Sequence, residues 1–262
     1  MRSPLESSLA IALVVCSIFA SSAPAQTPTA ATDPVGFISV SVAPGSAASP
    51  TLSLVSPTLM HAVEWQGAIL TISGTAITVA GTPWTTGQFG TNGQYFVEVS
   101  SGASAGAWTD IQSSTATGLT TLDDLSAFAG AGTSIRIRKH TKLTDFLGVN
   151  NSAGLKGAAA LANADEVTVY DGSNSTVYWY YDASDGLGSA GWLDSLGQSA
   201  ANVVIAPHEG VVVRRKVGSQ VSFTSMGTVK TGNTFYPIKT GLNVLGTVSA
   251  KGLTLATCGL YT

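Results

Sequence analysis

The feature that most constrains the fold is a succession of short segments in which apolar and small polar residues alternate, each closed by glycine, serine, asparagine or aspartate. Alternation with a period of two places successive side chains on opposite faces of a strand. About fourteen such segments, with turn signals roughly every 8–12 residues, predict an all-β fold. We expect an antiparallel β-sandwich or barrel-like domain with at most one or two short helices, one of them over residues 142–147 with Thr141 as its cap.

The first 25 residues have the features of an export signal. Arg2 gives a positive start, residues 9–20 form an apolar run, and small residues precede a predicted cleavage after Ala25. The apolar run is shorter than the ~20 residues that cross a bilayer, so we predict a removable signal peptide rather than an anchor. The mature chain, with no transmembrane segment of its own, is expected to be extracellular, at the cell surface or in the periplasm.

The rest of the chain predicts either two β lobes or one continuous domain. Residues 26–34 are polar and are expected to form a flexible leader. A glycine- and alanine-rich stretch over 148–164 separates a predicted lobe over 35–148 from a second over 165–262. The alternative is a single β domain over 35–262, and both lengths fall within the usual range for domains.

Charged residues are few and unevenly placed. They make up 10% of the chain, with a net charge of −3, and no lysine or arginine lies between Arg2 and Arg136. The first half is therefore acidic and the second mildly basic, which indicates either attraction between copies or two surfaces of different charge. An isoelectric point near 5.5 excludes the cationic surface that nucleic-acid binding requires.

No catalytic constellation is recognisable in the sequence. His61, His140 and His208 form no metal-ligand spacing, and there is no Gly-x-Ser-x-Gly nucleophile elbow. A glycosidase needs two facing carboxylates, whereas Glu98 lies on an alternating strand and is predicted to face solvent. We therefore predict no enzymatic activity, no cofactor and no metal site, with a glycan-active or ester hydrolase as a third alternative.

Aspartate-rich loops and one cysteine carry further signals. Asp171, Asp182 and Asp185 offer oxygen ligands to Ca²⁺, but turn geometry by itself accounts for aspartate at these positions. Cys16 leaves with the predicted signal. Cys258 is then the remaining thiol, which allows an intermolecular bridge but no intramolecular disulfide.

The sharpest candidate for binding is the aromatic segment 176–181. Alternation places Val177, Trp179 and Tyr181 on one face and Tyr178 and Tyr180 on the other. One face is expected to be core. The other offers Tyr178 and Tyr180 as a candidate glycan platform, and the alternative is cross-strand packing, which aromatic residues favour.

A series of short motifs runs along nearly the whole mature chain. It comprises Asp-Pro-Val-Gly-Phe (33–37), SGTAITVAGTPW (73–84), YFVEVSSGASAG (95–106), IRIRKHTKLTDFLG (135–148), DEVTVYDG (165–172) and TGLNVLG (240–246). This set resembles a family of uncharacterised secreted β-rich bacterial proteins of the verrucomicrobial and planctomycete group. The resemblance implies an exported β protein with no assigned enzymatic activity.

The sequence as a whole predicts a secreted or cell-surface structural or interaction protein. Its expected partners are further copies of itself or cell-envelope polysaccharide. The alternative function is that of a carbohydrate-binding module in a secreted protein.

Overall fold

Antiparallel strands make up nearly all the regular structure of residues 33–90 and 93–248, which a computed structural model describes. Within these ranges there is one short α-helix, α1 (Leu143–Leu147), and a single 3₁₀ turn over Leu161–Asn163. The prediction of an all-β antiparallel fold is confirmed. No helix in the described part of the chain is long and apolar enough to cross a membrane. The predicted signal with its cleavage after Ala25, and Cys258, lie outside the described residues.

The strands are short, as the closely spaced turn signals predict. In chain order they are β1 (Val35–Val42), β2 (Thr51–Val55), β3 (Val63–Ser73), β4 (Ala76–Val79), β5 (Tyr95–Val99), β6 (Trp108–Ser114), β7 (Gly118–Thr121), β8 (Ser134–Lys139), β9 (Thr141–Lys142), β10 (Glu166–Asp171), β11 (Asn174–Tyr181), β12 (Gly191–Asp194), β13 (Val204–Ile205), β14 (Val211–Arg215) and β15 (Val221–Thr228).

Six of these strands close into a barrel. Their order is β3-β4-β7-β6-β5-β8, and β8 pairs back onto β3. Inward-facing side chains such as Ile111 and Ile137 fill the interior together with Trp84 and Phe89, whose rings meet edge to face at 5.3 Å. A small barrel of this size is filled by side chains, so the interior is a packed core rather than a ligand cavity.

A five-stranded sheet, in the order β12-β11-β10-β14-β2, forms the second large element. Val167 and Val213, both fully buried, lie on its inner face and pack with Leu143 and Phe146 of α1. Val211 and Val213 are the buried apolar positions of β14, and the residue between them is only half-buried.

Strand pairing crosses the predicted division of the chain near residues 148–164. Strand β2 hydrogen-bonds to β14, and β1 pairs along its whole length with β15. The first and last strands thus pair with each other, and the described residues belong to one compact unit. The barrel strands lie between Val63 and Lys139. The first 28 residues of the predicted first lobe therefore lie outside the barrel: β1 and β2 pair with other strands, and the remaining residues connect strands.

The start of α1 differs from the prediction. Lys142, not Thr141, occupies the N-cap position, and Thr141 pairs with Ile205 in the small β9–β13 sheet. The Asp145 carboxylate accepts a hydrogen bond from the Lys142 backbone N–H at 3.0 Å. A carboxylate in the first turn satisfies a free donor there, which accounts for a helix that begins without a hydroxyl cap.

Buried charges lie outside the barrel wall, and here one prediction is wrong. Glu98 of β5 is buried, not exposed, and pairs with the Lys230 ammonium. Arg138 of β8 is 0% exposed and pairs with Asp33, while its Nη1 donates to the His61 carbonyl at 2.8 Å. Alternation places the Glu98 and Arg138 side chains outside the barrel, but other segments of the chain cover them and exclude solvent.

We expect Arg138→Met to lower the free energy of unfolding by about 3–5 kcal/mol, because it removes the fully buried cation that pairs with the Asp33 carboxylate. Arg136→Met is the matched control. Arg136 also approaches Asp33, at 3.6 Å, but is partly exposed, so its loss should cost less than about 1 kcal/mol. Urea unfolding measures both, and equal losses would contradict a special role for the buried guanidinium.

Candidate functional site

A cleft of about 620 Å³ lies against the outer wall of the barrel. One side is formed by β6 and residues 122–128, and the other by residues 204–209 and 235–239. Because Ile111 points into the barrel core, the alternating positions Trp108 and Asp110 point outward into this cleft. Its volume falls within the range of small-molecule sites, roughly 300–1,000 Å³.

Aromatic rings line much of the cleft. Phe128 is 43% exposed and Phe235 39% exposed, and their rings meet edge to face at 6.1 Å. The Trp108 indole N–H donates to the Phe235 carbonyl at 3.0 Å, which fixes the 235–239 segment against the barrel. Trp108 also contacts Phe96 at 5.7 Å between ring centroids. The deeper rings are therefore structural, and the two phenylalanines present free ring surface.

Two adjacent carboxylates stand on the barrel side of the cleft. Asp123 accepts a hydrogen bond from the Thr109 hydroxyl at 3.0 Å. Asp124 accepts one from the Ser126 backbone N–H at 2.7 Å, and hydrogen bonding from Ser126 lowers the pKa of Asp124. Among the described residues neither carboxylate forms a salt bridge. Asp124 is thus held ionised and open to solvent.

Glu209 and Lys239 occupy the opposite side. The Glu209 Oε2 accepts a hydrogen bond from the Ala206 backbone N–H at 2.8 Å, and burial raises the pKa of this carboxyl group. The Lys239 ammonium hydrogen-bonds to Asp171, which raises the pKa of the lysine. The cation on this side of the cleft is therefore already paired with a carboxylate.

His208 is a buried wall residue, 8% exposed. Its ring lies 5.5 Å from Trp108 and 6.2 Å from Tyr236, measured between centroids. Burial lowers its pKa to about 4, so the imidazole is neutral at pH 7. Its Nδ1 is buried and has no hydrogen-bond partner among the described residues.

His140 and Asp110 form a contact that resembles part of a catalytic triad but differs in geometry. The His140 Nε2 lies 2.7 Å from Asp110 Oδ1, and its Nδ1 is buried with no partner in the described part of the chain. In a triad the imidazole bridges a carboxylate and a nucleophile, whereas no hydroxyl contacts the second nitrogen here. His61, the third histidine, lies outside the cleft beside Asp145 at 3.2 Å.

The aspartates of the predicted calcium loops bind groups of the protein itself. Asp182 accepts a hydrogen bond from the Ser184 backbone N–H at 3.0 Å. Asp185 accepts one from the Tyr181 hydroxyl, which raises the pKa of Tyr181 and lowers that of Asp185. No group of three or more His, Cys, Asp or Glu side chains among the described residues is arranged to hold a metal ion.

Tyr178 and Tyr180 lie half-buried on the inner side of the five-stranded sheet. Tyr178 is opposite Val167, and both tyrosine rings pack against the main core cluster. Tyr180 meets Trp192 edge to face at 5.5 Å, and burial raises the pKa of Tyr178. Trp179, on the other face, packs against the 158–164 segment. The glycan-platform role of the tyrosines stays a prediction, and both rings are half-buried.

The sequence does not reveal the cleft, because the walls of the cleft come from three distant stretches of chain. The available signals were an acidic pair at Asp123 and Asp124 and the aromatic residues Phe128, Phe235 and Tyr236 outside any strand. None has a spacing that identifies a site, since only the tertiary fold brings the three stretches together.

We expect stability to fall as pH drops from about 6.5 to about 4, because His208 has an ordinary pKa of 6.5 when unfolded and about 4 when folded. The native state binds fewer protons in this window, which is worth up to about 3 kcal/mol. His208→Phe, which keeps a ring, should flatten this part of the stability profile in urea unfolding at several pH values. The charged groups near His208 are Lys239, His140, Asp110 and Asp171.

Glu209→Gln is the control for this titration. The raised pKa of Glu209 adds stability at low pH that is lost as pH rises, which is the opposite direction. The Glu209→Gln variant should therefore still lose stability as the pH falls from about 6.5 to about 4. If the dependence of stability on pH were unchanged in His208→Phe, His208 would not be the source of the stability loss at acid pH.

Comparisons with family models, with curated proteins and with solved structures give no match for this chain. Function is therefore inferred from the cleft itself, from its ring surfaces and from its charges.

Proposed function

We propose that this protein binds a carbohydrate in the cleft, without catalysis. The observation that carries the proposal is the pair of exposed rings, Phe128 and Phe235, beside open carboxylates in a cleft of about 620 Å³. Ligand sites in proteins combine apolar and aromatic walls with a few polar groups that fix orientation. This is the alternative function that the sequence predicts, with the ring platform moved from Tyr178 and Tyr180 to the cleft.

Sugars have two kinds of surface, and the cleft offers a partner for each. The C–H faces of a pyranose ring are apolar and pack on aromatic rings. Phe128 and Phe235 provide such rings in the cleft. Sugar hydroxyls donate hydrogen bonds, and ionised carboxylates accept them strongly. Asp123 and Asp124 lie on one side of the cleft and Glu209 on the other, so acceptors stand along both walls.

The absence of catalysis is part of the proposal. It is supported by the His140–Asp110 contact, in which no hydroxyl nucleophile meets the imidazole among the described residues. Export, as the signal sequence predicts, would bring the protein to envelope polysaccharide, the kind of partner that such a cleft suits.

The double variant Phe128→Ala/Phe235→Ala should weaken binding to a retained polysaccharide at least roughly fivefold, since each aromatic contact contributes about 0.5–1.5 kcal/mol. Affinity electrophoresis in gels containing soluble polysaccharides identifies a retained glycan, and calorimetry then gives its affinity. Leu187→Ala is the control, because Leu187 is exposed and lies outside the cleft. Unchanged affinity in the double variant, with normal melting, would place the site elsewhere.

The same retained glycan tests the absence of catalysis. After long incubation with the protein, its chain-length distribution by mass spectrometry should be unchanged. Shortened chains would overturn the non-catalytic part of the proposal and make Glu209, with its raised pKa, the first acid to replace.

A second candidate function, structural self-association, is favoured by the β1–β15 ribbon. Phe37, 74% exposed, lies opposite Met226, 80% exposed, and neither strand contains a charged residue. Within residues 33–90 and 93–248 the ribbon is a two-stranded sheet, and apart from a bridge between Met60 and Thr228 at the end of β15 each strand has one edge without a partner strand. Edges without charge or proline invite pairing with another chain, and a second copy presents the same complementary edge.

If the ribbon joins copies, Phe37→Lys should lower the fraction of dimer or higher assembly at a given concentration. A lysine on the apolar face adds a charge that the partner cannot pair, and lysine is a natural guard of strand edges. Light scattering after gel filtration over a concentration series measures the assembly state. Leu187→Lys, an exposed leucine outside the ribbon, is the matched control, and a wild-type protein that stays monomeric throughout would exclude this role.

A further inference from the structure

We propose that the cleft selects sugars that carry a protonated amine over neutral sugars. This inference rests on the proposed carbohydrate binding and names the class of sugar that the site takes. It follows from the charges of the two walls, from the exposed aromatic rings and from an unpaired buried nitrogen in the wall.

The barrel side of the cleft is acidic because of the stretch of sequence that forms it. From residue 33 to residue 135 the sequence contains no lysine or arginine, and this stretch supplies Asp110, Asp123 and Asp124 to the wall. The Asp124 carboxylate is exposed and held ionised by its hydrogen bonds from Ser126. The uneven charge of the sequence therefore becomes an uneven charge in the fold, concentrated where the cleft opens.

The opposite wall does not compensate for this charge. Lys239 is its one cation among the described lining residues, and its ammonium is paired with Asp171. His208 is neutral at pH 7 because burial lowers its pKa to about 4. A bound cation therefore meets carboxylates on the barrel side and a neutral imidazole, not a positive one, on the other.

Two further observations point to a ligand in this place. The His208 Nδ1 is buried in the cleft wall without a hydrogen-bond partner among the described residues, whereas buried polar atoms are nearly always paired. The faces of Phe128 and Phe235 attract cations as well as C–H groups. A ring that bears both C–H faces and an ammonium group uses all of these features together.

The test compares two oligosaccharides that differ at one position of each ring. Glucosamine hexamer and cellohexaose share β-1,4 linkage, and the first carries an amine where the second carries a hydroxyl. Calorimetry is done with the full mature protein in a buffer in which the amines are protonated. We expect glucosamine hexamer to bind at least about tenfold more tightly, a difference of about 1.4 kcal/mol. Because the charges are exposed, this preference should fall as salt is added.

The outcomes separate the two proposals. Equal binding of both hexamers, or tighter binding of cellohexaose, would overturn the amine preference and leave carbohydrate binding in place. Binding of neither hexamer, together with no retained polysaccharide, would overturn both. A preference that does not change with salt would also count against the inference, since it would come from shape and not from charge.

A pair of variants assigns the preference to the cleft. Asp124→Asn should reduce the ratio of the two affinities severalfold, because loss of this charge weakens binding of glucosamine hexamer more than binding of cellohexaose. Asp182→Asn is the matched control, because Asp182 is likewise exposed and accepts a backbone N–H two residues ahead, at 3.0 Å. If both variants lowered the ratio equally, the selectivity would reflect the overall charge of the protein and the inference would fail.

Discussion

The fold depends on a guanidinium group that is buried outside the barrel rather than in it. Arg138 leaves the barrel wall and bonds Asp33, just before β1, and the carbonyl of His61, just before β3. It also donates to the Thr228 hydroxyl at the end of β15, at 3.2 Å. A buried charge is tolerated only when it is paired and hydrogen-bonded. The barrel surface at this point is therefore covered by segments next to the first and last strands, β1 and β15.

The same requirement positions the second wall of the cleft. Beyond β15, the Lys230 ammonium pairs with Glu98 on the barrel and hydrogen-bonds to the Asn233 carbonyl. Two residues later the Phe235 backbone N–H donates to the Gly106 carbonyl at 3.0 Å. Gly106 has φ +104°, and a Cβ there would lie 2.5 Å from the Asn233 carbonyl oxygen, so only glycine allows this approach. The aromatic wall is thus held by a buried ion pair and a backbone contact, not by packing alone.

Periodicity in the sequence predicted the local structure well, and the tertiary environment much less. Alternation gave the strands, because the period of two is a property of the chain itself. It placed Glu98 on the side of its strand opposite Val97 but could not show that later segments would cover that side. It divided the aromatic strand into two faces correctly, but it could not show that Tyr178 and Tyr180 pack against the main core cluster, because that depends on the layer beside the sheet. The cleft could not be predicted at all, since its walls meet only through closure of the chain.

Charge is scarce in this protein, and its use in the described region follows a clear division. Buried charges are paired, as in Arg138 with Asp33 and in Arg215 with Asp165. Asp123 and Asp124 stand side by side on the cleft without a salt-bridge partner among the described residues. Each accepts a hydrogen bond from the protein, Asp123 from the Thr109 hydroxyl and Asp124 from the Ser126 backbone N–H, but their adjacent negative charges repel each other. Their position beside exposed aromatic rings is the feature on which the proposed selection of a positively charged sugar depends.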